Sequence, residues 1–136
     1  MIFISDIPFH ALFYTGASHS FISYSMVSCL HFEPDLIYDP LVVSNPIGGS
    51  TSLSTICRGL RFSIGGLEFS IDAFILGFSG YDIIIGMDWM TNNHVILDCD
   101  KCLVLFHGRD GGEVSLQCKS GSGSMQSYLY SLDVPH

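Results

Sequence analysis

Residues 11–21 read ALFYTGASHSF, and this stretch decides the fold. An apolar run ends at a Thr15-Gly16 turn, and a small polar cluster follows before the next apolar residue, Phe21. A buried strand that ends in such a turn delivers a loop to the floor of a cleft. We therefore expect residues 14–19 to hold the functional side chains.

A second stretch of the same kind is residues 81–90, YDIIIGMDWM. Its three isoleucines form a wholly apolar strand, which is typical of strands covered on both faces. Asp88 suits the N-cap of a short helix that runs through about Asn92. Each stretch has an apolar strand that ends near a glycine, Gly16 in the first and Gly86 in the second, about 70 residues apart.

The two stretches, in this order, resemble the signatures of the retropepsins, the single-domain aspartic proteases of retroviruses and retrotransposons. The nearest forms are Asp-Ser/Thr-Gly-Ala-Ser/Thr-His-Ser-Phe and Asp-hydrophobic-Ile-Leu-Gly-Met-Asp-Trp, from plant long-terminal-repeat (gypsy-type) retrotransposons. Two separated signatures are more specific than either alone. The resemblance covers most of residues 2–106. It implies an all-β fold, a small closed acid-protease barrel with one or two short helices, and a Gag-Pol polyprotein-processing endopeptidase.

Members of this family hydrolyse peptides with two carboxylates that share a proton, one acting on water and the other on the scissile carbonyl. A chain with one signature supplies one aspartate, so the resemblance implies a homodimer with the site on its two-fold axis. Where the family has that aspartate, this chain has Tyr14. A phenol ionises only around pH ~10 and is no base for water at neutral pH. We therefore predict that the domain is catalytically inactive.

The resemblance also assigns the neighbouring residues. Tyr14, Thr15 and Gly16 take the catalytic positions, with the Thr15 hydroxyl bonding across the dimer axis. Ala17 and Ser18 line the substrate groove. Without the second stretch, a simple turn hydroxyl would be the preferred interpretation of Thr15.

A Gly-Gly pair stands in residues 45–52, NPIGGSTS, and favours a hairpin tip. The resemblance places the protease flap here, with Ile47, Gly48, Gly49 and Ser50 against bound peptide. An ordinary surface hairpin is the alternative.

Three other groups of residues are candidates for catalytic or metal-binding roles. Asp6, Asp82 and Asp88 do not restore a symmetric pair of acids, and local hydrogen bonding explains the last two better. His19 with Ser18 or Ser20 is a poor nucleophilic pair, because adjacent turn residues rarely align. Cys99 and Cys102 have zinc-knuckle spacing, but no second pair stands at ligand spacing. We expect no metal and no cofactor.

Composition narrows the function classes. The 136 residues are enough for one domain, and 13 acidic against 5 basic residues give a net charge of −8. The chain lacks the basic cluster that nucleic acid needs and any run long enough to cross a membrane. Five cysteines without secretory context suggest reduced thiols and a cytoplasmic location. The expected partners are a peptide or polyprotein segment and a second copy of the chain.

We expect a retropepsin-like domain over residues 1–118 and a Gly/Ser-rich linker and tail over 119–136. The start lies only a dozen residues before the first signature, which suggests a segment of a longer polyprotein or a truncated gene product.

A helix is expected from a cap at Ser20 or Ser23 to about Leu30. Strands are expected at 2–5, 7–13, 36–44, 56–64, 67–76, 96–99, 103–106 and 114–118, and 126–134 is either a last strand or a connection.

Two further functions stay open from the sequence. A pseudoprotease could keep the groove and flap and bind peptides, or dimerise, without cutting them. A decayed element remnant would have no function at all.

Overall fold

The computed structural model describes residues 2–4, 7–44, 50–78, 80–98, 100–101, 103–108, 111–117, 119–120 and 129–132. These residues form strands and two short helices. In chain order the elements are β1 (Ile2–Ile4), β2 (Ile7–Pro8), β3 (Ala11–Tyr14), β4 (Phe21–Ser23), α1 (Tyr24–Leu30), β5 (Asp35–Ser44), β6 (Ser50–Ile64), β7 (Leu67–Leu76), β8 (Ile83–Ile85), α2 (Met87–Asn92), β9 (Ile96–Asp98), β10 (Leu103–His107), β11 (Glu113–Gln117), β12 (Lys119–Ser120) and β13 (Leu129–Leu132).

The strands form two sheets. The larger has ten strands in the order β12-β13-β3-β8-β4-β7-β6-β1-β2, with β5 paired to β6, and the smaller has the order β11-β10-β9. The sequence predicts an all-β fold with one or two short helices, and the described residues form a mostly-β fold with two. The pairings of the described strands form an open path, so closure into a barrel stays a prediction.

Strand β8 lies between β3 and β4, and this insertion positions the site. It runs parallel to β3, with Phe13 opposite Ile85, and antiparallel to β4, with Phe21 opposite Ile84. Ile83 and Ile85 are fully buried, as expected for a strand covered on both faces. Because parallel strands end at the same sheet edge, the turns that follow β3 and β8 lie side by side.

The β6–β7 hairpin turns at Gly65 and Gly66, between the strands expected at 56–64 and 67–76. Their φ angles of 56° and 88° are left-handed, which suits a two-residue hairpin turn. Strand β5 pairs with the start of β6 as far as Ser44 opposite Ser50. The predicted flap tip, Ile47 to Gly49, lies outside the described residues.

An aromatic cluster joins α2 to both sheets. The Trp89 ring lies 5.4 Å from those of Phe62 and Phe69 and 6.4 Å from that of Phe106, which in turn lies 5.6 Å from Phe13. The Trp89 indole N–H donates to the backbone oxygen of Ser70 at 2.9 Å, so this buried ring leaves no polar atom unpaired. Trp89 is therefore a core residue that joins the two sheets.

The helices begin in different ways. Of the two predicted caps, Ser20 and Ser23, the structure has Ser23 as the N-cap of α1, and its hydroxyl accepts from the Met26 N–H at 3.2 Å. The prediction of Asp88 as the N-cap of α2 is wrong, because Gly86 holds that position and Asp88 lies in the first turn. Its carboxylate bonds instead to a residue of the first signature, as described below.

No helix among the described residues is long and apolar enough to cross a bilayer.

The C-terminal strand β13 lies beside the strand that carries the first signature. It pairs antiparallel with all of β3, so that Leu129 is opposite Tyr14 and Leu132 is opposite Ala11. Of the two alternatives for residues 126–134, the described part, Leu129–Leu132, is a strand. The predicted domain boundary at residue 118 stays a prediction.

Candidate functional site

The loop of residues 14–20 is closed by one backbone hydrogen bond and is joined to the start of α2 by another. The Ala17 N–H donates to the Tyr14 oxygen at 3.2 Å and closes the Thr-Gly turn. The Met87 N–H donates to the Ala17 oxygen at 2.8 Å. The two sequence signatures are therefore bonded to each other through main-chain atoms.

Tyr14 is half-buried at the end of β3, and its ring covers its own turn. A Cβ atom added at Gly16 would lie 2.5 Å from Tyr14 Cε1 and Cζ and 2.6 Å from the hydroxyl oxygen. Only glycine fits under the ring in this conformation. The side chain offers a phenol at the position where the strand enters the loop, and no carboxylate.

Gly86 allows the second turn to approach the first. A Cβ atom there would collide with the His19 carbonyl oxygen, and it would lie 2.7 Å from the His19 carbonyl carbon and 2.9 Å from the Ala17 oxygen. These are main-chain atoms, which cannot rotate away as a side chain can. The close packing of the two turns therefore depends on glycine at this position.

Behind the loop, a hydrogen-bond network links the buried residues Ser20 and Gly86 to the half-buried Asp88. The Ser20 hydroxyl donates to Asp88 Oδ1 at 2.8 Å and accepts from the Gly86 N–H at 2.9 Å. The Ser20 N–H donates to Asp88 Oδ2 at 3.2 Å. Sequence reasoning considered both polar side chains as helix caps and missed this pair. The signal available was their place inside the two signatures, each within four residues of a signature glycine.

Asp82 lies at the other end of β8, where the prediction of local hydrogen bonding is confirmed. Its Oδ2 accepts from the His10 N–H at 2.7 Å, and its own N–H donates to the His10 oxygen at 2.8 Å. Asp82 therefore ties the start of β8 to the start of β3.

Ser18 and His19 form a contact but no catalytic triad. Ser18 Oγ lies 3.0 Å from His19 Nδ1, and the His19 ring meets the Phe74 ring edge-on at 5.6 Å. Within the part of the chain that the structure describes, no carboxylate bonds to His19 to orient it as a base.

The predicted site residues fall into two groups. Tyr14 is the last residue of β3, and Thr15, Gly16, Ala17 and Ser18 follow it in the connection to β4. Ile47, Gly48 and Gly49 lie outside the described residues, and Ser50 is exposed as the first residue of β6. The catalytic and substrate-binding roles of all these residues stay predictions.

The cysteines and possible metal ligands are dispersed. No group of three or more His, Cys, Asp or Glu side chains in the described ranges is placed to hold a metal ion. Cys99 and Cys102 fall outside those ranges. Cys29 is exposed and Cys57 is buried. Burial, with a smaller contribution from the negative charge of Asp35, raises the pKa of the Cys57 thiol to about 11.

Comparisons with known proteins agree with this geometry. The family described as "Retroviral aspartyl protease" matches residues 1–111. A similar solved structure is the retroviral protease-like domain of Ddi1 from Leishmania major, with a TM-score of 0.62 and 13% sequence identity over 85% of this chain and 90% of that chain. A search of curated proteins found no match. Since the family profile spans both signature loops and most of the chain, the protein belongs to the retroviral aspartyl protease family.

Proposed function

We propose that the chain is the protease domain of a retrotransposon Gag-Pol polyprotein in which peptide-bond hydrolysis has been lost. One observation carries the proposal. At the end of β3, beside the Gly86 turn, the side chain is the phenol of Tyr14, whose ring covers Gly16. The family's chemistry needs a carboxylate at this position.

The chemical argument concerns proton transfer. Two close carboxylates cannot both ionise, so one is an acid while the other is a base near the working pH. A phenol provides neither the base nor the shared proton. Loss of general acid-base catalysis alone lowers the rate by roughly 10² to 10⁴. The Tyr14 ring also covers the Thr15-Gly16 turn, which would have to help hold the lytic water.

In this proposal the domain is a homodimer, since each chain provides one signature loop and a symmetric site needs two. Thr15 bonds across the axis, Ala17 and Ser18 line the groove, and the hairpin from Ile47 to Ser50 closes over a peptide. Closure of the large sheet into the family's barrel and a cytoplasmic location, consistent with the exposed thiol of Cys29, are parts of the same proposal.

A peptide-binding pseudoprotease is the second candidate. The observation in its favour is that the loop framework persists without the carboxylate: Gly86 still packs on the His19 carbonyl, and Ser20 still bonds to Asp88. Such a module would hold an extended peptide or a second copy of the chain without cutting.

The test uses the purified chain and a mixed peptide library at about pH 5, where one carboxylate of a close pair keeps its proton. We expect no cleavage by the unmodified chain. Cleavage that a statine-type transition-state analogue blocks would refute the loss of activity. Saturable peptide binding without cleavage would favour the pseudoprotease, and its absence would favour a decayed remnant without function.

A further inference from the structure

Ser20 and Asp88 are joined by hydrogen bonds that the proposed chemistry does not use, although they are 68 residues apart in the chain. The carboxylate of Asp88 accepts the Ser20 hydroxyl at one oxygen and the Ser20 N–H at the other, at 2.8 and 3.2 Å. The first oxygen also accepts the Trp89 N–H at 2.8 Å. Asp88 is therefore bonded both to its own helix and to the end of the signature loop.

Every polar atom of Ser20 has a partner. Besides its two bonds to Asp88, the hydroxyl accepts the Gly86 N–H at 2.9 Å, and the backbone oxygen accepts the Phe74 N–H at 3.0 Å. Ser20 is fully buried, with an exposed fraction of 0%. Hydrogen bonds to a charged partner are stronger than neutral ones, and a buried group left without its partner is costly.

Tyr14 lies at the other end of the loop and takes no part in this network. Its ring covers Gly16, and among the described residues its hydroxyl has no hydrogen-bond partner. Its only bond into the loop is through the backbone, where its oxygen accepts the Ala17 N–H. The side chain at position 14 is therefore not among the groups that fix the shape of the loop.

We propose that Ser20 and Asp88 are positioning residues that hold the loop of residues 14–20 in shape from behind, whatever side chain stands at position 14. We name this pair the Ser20–Asp88 clamp. The clamp acts within one chain, so it holds whether or not the proposed function is correct. It explains how the loop keeps its framework around Tyr14.

Amide hydrogen exchange, followed residue by residue by NMR, tests the clamp. Ser20→Ala removes the acceptor of the Gly86 N–H, and we expect that amide to exchange at least about tenfold faster. Asp88→Asn keeps one carbonyl oxygen for the Ser20 hydroxyl but loses the second acceptor. It should therefore speed exchange at the Ser20 amide and spare Gly86. Exchange at Val104, in the buried strand β10, reports global opening and should change much less.

Asp72→Asn is the matched control. The Asp72 carboxylate also accepts a backbone N–H, that of Gly59 at 2.8 Å, but on an exposed part of the β6–β7 hairpin. The same loss of one charge there should leave the Ser20 and Gly86 amides unchanged. Tyr14→Ala should also leave both amides unchanged.

Three results would overturn the clamp. The first is unchanged exchange at Gly86 in Ser20→Ala. The second is acceleration by the same factor at Gly86 and Val104, which would indicate a general loss of stability. The third is an effect of Tyr14→Ala as large as that of Ser20→Ala. If Ser20→Ala does not fold, Asp88→Asn decides the question through the Ser20 amide, whose unchanged exchange would likewise refute the proposal.

Discussion

At the scale of single residues, the two signature glycines are required for different reasons. Gly16 is confined by the far end of the Tyr14 side chain, whereas Gly86 is confined by the carbonyl groups of Ala17 and His19. A flexible ring can rotate out of the way, but main-chain atoms of a bonded loop cannot do so without breaking hydrogen bonds. The two positions should therefore respond differently to the same added methyl group.

We predict that Gly86→Ala lowers the free energy of unfolding by roughly 2–3 kcal/mol, as overpacking against fixed atoms does, while Gly16→Ala lowers it by less than about 1 kcal/mol. Urea unfolding of the two variants measures both values. Equal losses would show that the two turns are not packed as the structure has them.

The contribution of Cys57 to the free energy of unfolding depends on pH. The folded protein raises its pKa from about 9 to about 11, chiefly by burial, so the folded state holds the thiol proton more tightly than the unfolded state. Its stabilising contribution is complete below pH about 9 and is lost as the pH rises through about 11.

We therefore expect the unfolding free energy of the chain, relative to that of Cys57→Ala, to decrease as the pH rises from about 9 to about 11. The variant serves as the reference because other groups also titrate at high pH. A difference that stays constant over this window would contradict the burial of the thiol.

At the scale of elements, α1 offers a direct test of capping. Ser23 accepts the Met26 N–H with its hydroxyl and is buried, while Ser25, two residues on, is exposed within the helix. We predict that Ser23→Ala lowers the unfolding free energy by about 1 kcal/mol, the usual cost of losing an N-cap. Ser25→Ala is the control and should change it by less than half as much. Thermal or urea unfolding would detect the contrast, and equal effects would argue against the cap.

The elements also show what the sequence can predict. The Gly65-Gly66 hairpin, the Ser23 cap and the buried Ile83–Ile85 strand follow from local patterns, because the residues that decide them are neighbours in the chain. The role of Asp88 does not follow from a local pattern. Its position before a short helix suggests a cap, and its partner, Ser20, becomes visible only when β8 is inserted between β3 and β4.

Similar reasoning applies to the candidate site. The resemblance predicts that Tyr14 to Ser18 lie together, and the structure has them at the end of β3 and in the turn that follows it. The position of the Tyr14 ring over Gly16 is a matter of side-chain packing that no sequence pattern encodes. Three of the four predicted flap residues lie outside the described ranges.

At the scale of the whole molecule, the C-terminal strand bears on where the domain ends. Strand β13 pairs with every residue of β3, the strand that leads to Tyr14. A chain that ends at residue 118 would leave this edge of β3 unpaired, and unpaired edges are destabilising and promote association.

We predict that this truncation lowers the thermal unfolding temperature and increases aggregation. A truncated chain as stable as the full one would support the tail as a dispensable linker and fix the domain boundary at residue 118.

The central claim is that a phenol occupies the position of the family's catalytic carboxylate, in a loop that is otherwise intact. The most direct measurement is the rate at which Tyr14→Asp cleaves the peptide library at about pH 5. The matched control is Tyr14→Asn, because asparagine has the size and shape of aspartate but no ionisable group. We predict cleavage by Tyr14→Asp alone, blocked by a statine-type analogue. Cleavage by the unmodified chain or by Tyr14→Asn, or no cleavage by a folded and dimeric Tyr14→Asp, would contradict the claim.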